Sequence, residues 1–339
     1  MLTGAGLAPS VAALLARHGL AGAAEAPLEH DGWSGARLTR LESADRTYVL
    51  KRDALAWDWI ARATRDDDLR EAWLAAAAAS LRGGLTAPYF GAARDGEGVA
   101  MLMPDLGERL FAWERGIDAA TLDRVLGALA EFHRAEQPVE LPWCPLPERL
   151  LLLTRPAAER YAAEGLPVGP RFLAGWDAFD RVATPRARAL VADQAGDPAP
   201  LLAALAARPA VLLHGDLKLA NLGFLADGRL AAIDWQMLLR GPVAVDLGWF
   251  MVANAAGLPA TPDAVLARYA ALAGWDDATR SAEADLAVLV GLLLRGWRKG
   301  LDAEAGLRLP SGVSAADDLA WWCDATSAAA ARCLAAVRA

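Results

Sequence analysis

Three side chains close together in the chain have the types and spacing to do chemistry as a group. The run from Val211 to Phe250 reads VLLHGDLKLANLGFLADGRLAAIDWQMLLRGPVAVDLGWF. It holds His214-Gly215-Asp216, then Asn221 five residues after Asp216, then Asp234 at the end of an apolar stretch. Two carboxylates and an amide are oxygen donors of the kind a hard cation such as Mg²⁺ takes. Phosphoryl transfer needs such a set, because its loose transition state asks the protein mainly to position groups and neutralise charge. One carboxylate orients the attacking hydroxyl and takes its proton, while an Asn and a second Asp hold the cations that bridge the phosphates. Any one of these residues alone reads better as a turn cap, so the weight rests on the constellation.

The elements that must position them follow from the pattern. Residues 211–213 are a short buried strand introduced by Pro209, and residues 230–233 a second strand after the turn Asp227-Gly228. A strand, a polar loop and a hairpin that folds back bring Asp216, Asn221 and Asp234 toward one place. Upstream, residues 37–41 and 47–51 lean to β structure around the polar turn 42–46, a hairpin signal. Residues 53–81 are helical in pattern and end in an alanine run before Arg82-Gly83-Gly84. Residues 89–92 and 99–103 predict two more strands around the turn 94–98. Ser10 followed by Val11, Leu14 and Leu15, then His18-Gly19, predicts a short capped helix.

After Pro104 the composition turns helical. Leu122, Val125, Leu126, Leu129 and Phe132 form one face of a helix over 119–135. Prolines 142, 145 and 147 interrupt it, residues 150–207 are mostly helical with a break near 167–170, and the pattern from Pro262 onward is helical.

The chain of 339 residues suits two domains or lobes at about 150 residues each. It is 55% hydrophobic and 22% charged, enough to bury a core and unlike a disordered chain. Its 42 acids against 34 bases give a net charge of -8, the opposite of a nucleic-acid footprint. Cys144, Cys323 and Cys333 sit at no metal-ligand or redox spacing, a usage that fits a reducing cytoplasm. The apolar run 286–294 falls well short of the roughly 20 residues a membrane span needs. No basic region precedes the uncharged first 16 residues, so no secretory signal is expected. The expectation is a cytoplasmic protein with neither nucleic-acid nor membrane partners.

The Val211 to Phe250 segment resembles the catalytic core of the aminoglycoside phosphotransferase and choline kinase-like family, which has the protein-kinase fold. The resemblance covers about residues 28–255 in order and spacing; residues 136–208 and 260–339 match only in type. It implies an α+β, two-lobed protein-kinase-like fold: a small antiparallel-sheet N-lobe of about five strands over residues 1–104, which binds nucleotide, and a large, mainly helical C-lobe over residues 105–339, which carries catalysis and substrate. It further implies that Asp216 is the catalytic carboxylate, with Lys218 reaching the transferring phosphate, and that Asn221 and Asp234 bind Mg²⁺. Asp246 matches a family acid that braces the catalytic loop, and His214 supports the same loop. Ser34, Gly35 and Ala36 correspond to the nucleotide loop, Lys51 to the lysine of the α- and β-phosphates, and Glu71 to its helix partner. Met101-Leu102-Met103-Pro104-Asp105-Leu106 matches the linker, where the Pro104 carbonyl and the Leu106 N–H would pair with the purine edge. His133 falls on a helix that packs under the catalytic loop.

The departures bear on the substrate. Trp235-Gln236 stands where protein kinases have Phe-Gly, and only eleven residues separate Asp234 from Asp246, too few for an activation loop. The expectation is therefore an ATP- and Mg²⁺-dependent kinase of a small-molecule hydroxyl, on an aminoglycoside, an amino sugar or another metabolite; the alternative is a nucleotide-binding pseudokinase that senses or scaffolds. An acidic cleft would suit a polycationic aminoglycoside, with Glu159, Glu164, Asp177, Asp180, Asp317, Asp318 and Asp324 as candidates and Trp143, Trp176, Trp297, Trp321 and Trp322 as stacking surfaces.

Overall fold

Alternate residues of one sheet face two different cores, and that alternation aims Lys51. The computed structural model describes residues 6–30, 32–43, 46–112, 114–137 and 140–334. Strands β1 (Ala24–Leu28), β2 (Arg37–Ser43), β3 (Arg46–Asp53), β5 (Gly91–Asp95) and β6 (Gly98–Pro104) form an antiparallel sheet in the order β1-β2-β3-β6-β5. The short β4 (Leu85–Thr86) lies elsewhere. Val49, Val99, Met101 and Met103 point into the main core. Leu50, Ala100 and Leu102 point the other way, onto Leu14 and Leu15 of α1 (Val11–Arg17). Lys51 is two residues from Val49 and registers opposite Met101, so it shares the inner face. The hairpin expected around residues 42–46 is present as β2–β3; Ala44 and Asp45 of its turn lie outside the described residues.

The capped helix at Ser10 forms as expected, with Ser10 Oγ accepting the Ala13 N–H at 3.2 Å. The helical pattern over 53–81 is instead broken in two, α2 (Trp59–Ala63) and α3 (Arg70–Ala77). Arg65 and Leu69 both take φ of 52° between them. Acids at the two helix starts take up backbone N–H groups: Asp58 accepts the Ala61 N–H and Asp66 the Arg70 N–H, both at 2.9 Å.

The remaining elements are mainly helical. They begin with α4 (Ala119–Arg134), whose buried stripe of Leu122, Val125, Leu126 and Leu129 matches the periodicity. Then come α5 (Leu146–Leu151), α6 (Arg155–Ala163), α7 (Val168–Val182), α8 (Pro185–Gly196) and α9 (Ala199–Ala206). After α9, β7 (Val211–Leu213), β8 (Leu222–Phe224), β9 (Leu230–Ala232) and β10 (Leu239–Gly241) follow in a short space. Helices α10 (Val243–Ala253), α11 (Pro262–Ala273), α12 (Asp277–Glu304) and α13 (Ala315–Cys333) complete the chain. β7 pairs with β10, and β9 pairs with β8 on one side and, in parallel, with β4 on the other. Through β4 the first hundred residues reach directly onto the β8–β9 hairpin. Helix α12 packs on α7, α10 and α13 and kinks at Arg295, where φ is -142°. Among the described residues no helix is long and apolar enough to cross a membrane.

Candidate active site

The loop after β7 is tied down by buried hydrogen bonds before any ligand is considered. Asp246, in the first turn of α10, accepts the backbone N–H of His214 at 2.9 Å and of Gly215 at 2.8 Å. His133 of α4 adds its Nε2 at 3.2 Å and bonds the Tyr269 hydroxyl through Nδ1 at 2.8 Å. Burial alone would raise the Asp246 pKa; His133 and the loop N–H groups override that and lower it. His214 Nδ1 accepts the Asp216 N–H at 3.1 Å, which leaves its Nε2–H to donate to the Ile233 carbonyl at 3.1 Å. Burial holds its pKa below the ordinary value, which fits this neutral form.

Three residues absent from the sequence reading complete the bracing. Asn254 accepts the Leu219 N–H at 2.7 Å and donates to the Leu217 carbonyl at 2.8 Å. Arg149 of α5 donates through Nε to the Gly215 carbonyl at 2.8 Å. The fully buried Arg70 donates to the Gln236 carbonyl at 3.0 Å. An Asn at the C-terminal end of an apolar helix was one local signal; Arg70 was marked only as the neighbour of Glu71, and nothing near Arg149 in sequence marks it.

On that frame, Asn221 Nδ2 donates to the Asp216 carbonyl at 2.9 Å and to Asp216 Oδ2 at 3.2 Å. Lys218 Nζ lies 2.9 Å from the same Oδ2. The Asn221 carbonyl accepts the Ile233 N–H at 2.9 Å, which links the loop to the strand that presents Asp234. Asp234 itself has φ of 64°, a strained conformation for a residue with a side chain. Opposite, Lys51 Nζ lies 2.6 Å from Glu71 Oε2 and 2.8 Å from Asp234 Oδ1. Burial would lower the Lys51 pKa; the charges of Asp234 and Glu71 raise it well above the usual value instead, so the ammonium is held charged. Burial likewise works against Asp234, but Lys51, then Lys218, holds its carboxyl at about 2. Sequence positions 51, 71, 216, 218, 221 and 234 thus come together from three sheets and a helix.

The loop between β1 and β2 is packed by its own neighbours. The Ser34 carbonyl accepts the Trp59 N–H at 3.3 Å, and the Trp33 carbonyl accepts Trp59 Nε1 at 2.6 Å. Ser34 Oγ accepts the Ala36 N–H at 3.3 Å, and both residues are buried. Gly35 has φ of 100°, and a Cβ there would meet the Trp57 carbonyl oxygen at 2.6 Å, so only glycine fits. Pro104 ends β6 opposite Tyr48, and Leu106 follows Asp105, whose carboxylate takes Arg40 at 2.8 Å.

The acids and indoles considered as substrate contacts are mostly occupied. Asp177 and Asp180 both pair with Arg155, Asp318 is buried against Lys299, and Asp317 accepts from Ser314. Trp176 and Trp322 are core residues, and Trp321 donates to Asp263 at 2.7 Å.

The phosphotransferase enzyme family (APH) matches residues 25–284, and the chain belongs to that family. It is a phosphotransferase, as the resemblance of the Val211 to Phe250 segment implied. Among solved structures the chain is similar to an aminoglycoside phosphotransferase from Alicyclobacillus acidocaldarius subsp. acidocaldarius DSM 446, at 17% identity over 94% of this chain and 92% of that one, with a TM-score of 0.48. It is also similar to the choline kinase LicA from Streptococcus pneumoniae, at 14% identity over 92% and 93% of the two chains and a TM-score of 0.47. The macrolide 2'-phosphotransferase MphH from Brachybacterium faecium shares 21% identity over 92% and 96%, with a TM-score of 0.43. No curated protein matches the sequence.

Proposed function

We propose that this phosphotransferase is an ATP- and Mg²⁺-dependent kinase of a small-molecule hydroxyl, acting in the cytoplasm. The observation that carries the reading is the Lys51 ammonium held between Glu71 and Asp234, on a strand-end joined by a hydrogen bond to the Asp216–Asn221 loop. In this reading residues 1–104 bind the nucleotide and residues 105–339 carry the acceptor and the chemistry.

Lys51 holds the α- and β-phosphates, Ser34, Gly35 and Ala36 supply the phosphate loop, and Pro104 and Leu106 meet the purine edge through their backbones. The donor set fits Mg²⁺. Asn221 turns its Nδ2 to Asp216, so its amide oxygen is the end available to a cation. Asp234 is ionised, with one oxygen on Lys51. Bound there, Mg²⁺ neutralises phosphate charge. Asp216 orients the acceptor hydroxyl and takes its proton as the new oxygen–phosphorus bond forms and the bond to the leaving ADP oxygen breaks. Lys218, already paired with Asp216, offsets charge on the group in transit. A pseudokinase that only senses or scaffolds has no chemical need for Lys51, Asp216, Asn221 and Asp234 together.

The test is ADP release from Mg²⁺-ATP across a panel of small alcohols, with Asp216→Asn as the control. Turnover should fall at least about 10²-fold in the variant, while a fluorescent nucleotide still binds. Nucleotide binding with no acceptor-dependent turnover in the wild type would point to the pseudokinase. Loss of nucleotide binding in a folded Asp216→Asn protein would remove Asp216 from its assigned role.

A further inference from the structure

Between the catalytic loop and the loop joining β1 to β2 the structure gathers cations and N–H donors that, among the described residues, have no anion of their own. Trp249 of α10 carries two guanidinium groups on its ring, Arg149 at 4.5 Å and Arg295 at 5.4 Å from the centroid. Arg295 also lies 5.5 Å from the centroid of Trp297. Trp297 in turn meets Trp33 at 6.5 Å, and Arg171 stacks on Trp33 at 4.1 Å. The series runs from the catalytic loop, which Arg149 touches, to the loop between β1 and β2.

Four buried donors along it have no hydrogen-bond partner: one Nη of Arg149, Nε of Arg295, and the indole Nε1 of Trp249 and of Trp297. Arg149, Trp249 and Trp297 are each at least nine-tenths buried, at 1%, 3% and 0% exposure. Among the described residues no carboxylate forms an ion pair with Arg149, Arg171 or Arg295, whereas the neighbouring Arg298 and Lys299 are matched by Asp302 and Asp318. Burial and the charges of Arg298 and Arg171 depress the Arg295 pKa to about 10, and Asp216 and Asp302 partly oppose them. Arg295 also sits at the kink of α12, so its position departs from the regular helix.

Buried donors without acceptors are costly unless a ligand supplies the acceptors. A guanidinium is the side chain best matched to a planar or tetrahedral oxyanion. A polycation would meet repulsion here, since the carboxylates that act on Arg295, Asp216 and Asp302, are already paired with Lys218 and Arg298.

We infer that the acceptor hydroxyl belongs to an anionic small molecule, whose carboxylate or phosphate is held by Arg295 with Arg149 and the indole N–H groups of Trp249 and Trp297, an inference that rests on the kinase reading above.

The experiment compares ADP release with gluconate and glycerol phosphate, with their neutral counterparts sorbitol and glycerol, and with glucosamine, choline and kanamycin. An anionic acceptor should exceed its neutral counterpart about tenfold or more in kcat/KM. Which anion succeeds separates a carboxylate from a phosphate ligand. Arg295→Gln should raise KM for that acceptor roughly 10- to 100-fold and collapse the preference for anions. Arg295→Lys, which keeps the charge, and the exposed Arg171→Ala should lose less. Preferred turnover of a neutral or amine acceptor overturns the inference and leaves the kinase standing. Where nothing turns over, the same compounds are titrated by tryptophan fluorescence. Saturable quenching by the anions alone, lost in Arg295→Gln, keeps the anion site while removing the kinase reading. Absence of anion-selective quenching overturns the inference.

Discussion

The Tyr89 hydroxyl donates to Glu71 Oε1 at 2.5 Å. The other oxygen of the same carboxylate takes Lys51 at 2.6 Å. Tyr89 also accepts the backbone N–H of Asp234 at 3.3 Å, so one phenol touches both acids that flank the lysine. Burial, then the Glu71 charge, raises the Tyr89 pKa well above its ordinary value, which keeps the hydroxyl a donor. Its place in the site could not be read from the sequence, because position 89 lies on a segment with no chemical motif.

Tyr89→Phe removes this bond and leaves Glu71 Oε1 with the Trp235 N–H at 3.3 Å. A hydrogen bond to a buried charged group contributes about 1.5–3 kcal/mol, so urea unfolding should show a loss of that order. If Glu71 positions Lys51 for nucleotide, KM for ATP should also rise several-fold, with kcat less affected. A lower midpoint with KM unmoved would make Tyr89 a packing residue only.

Gly215→Ala tests whether backbone geometry, apart from side-chain chemistry, sets the catalytic loop. Gly215 has φ of 81°, and a Cβ there would meet the Met237 carbonyl oxygen at 2.1 Å. Gly228 is the internal comparison, with φ of 84° and nothing within 4 Å. Gly228→Ala should therefore cost only the left-handed backbone penalty, about 1–2 kcal/mol. Gly215→Ala should cost clearly more and reduce kcat as well, since Asp216 is the next residue. Equal losses in the two variants would show that the β7 loop yields to the added carbon without consequence.

What the sequence made legible divides along physical lines. Asp216, Asn221 and Asp234 were legible from their types and spacing in the loops that follow the short strands β7 and β9, and Lys51 from its place on an otherwise apolar strand. The hairpin at β2–β3 and the α4 stripe were plain in pattern. The region from Asp53 to Leu81 was misread because Asp58 and Asp66 cap short helices, while the intervening alanines carry no boundary signal. Strands β8 and β10 are three residues each like β7 and β9, but each contains a glycine and so lacks the apolar run that marks the other two. Arg70, Arg149 and Arg295 escaped notice because a buried arginine has the same letter as an exposed one. Only the fold supplies the Trp249 ring and the Gln236 carbonyl that tell them apart.

Asp53 gives the stability of the sheet a pH dependence that can be isolated. Burial, followed by the charge of Asp58 and a hydrogen bond to it, pushes the Asp53 carboxyl up to about 9, against the pull of Lys51. Its unfolded value is about 3.9. The folded protein then binds a proton that the unfolded chain releases, so this group's contribution is full below about pH 4 and is lost as pH rises toward 9. The slope is at most about 1.4 kcal/mol per pH unit. Asp53→Asn cannot titrate and still offers an N–H to Asp58, so its stability relative to wild type should increase steadily from pH 5 to pH 8. Urea unfolding of both proteins at those two pH values measures the change. Parallel curves would mean that Asp53 is ionised in the folded protein, and that Lys51 holds a third carboxylate beside Glu71 and Asp234.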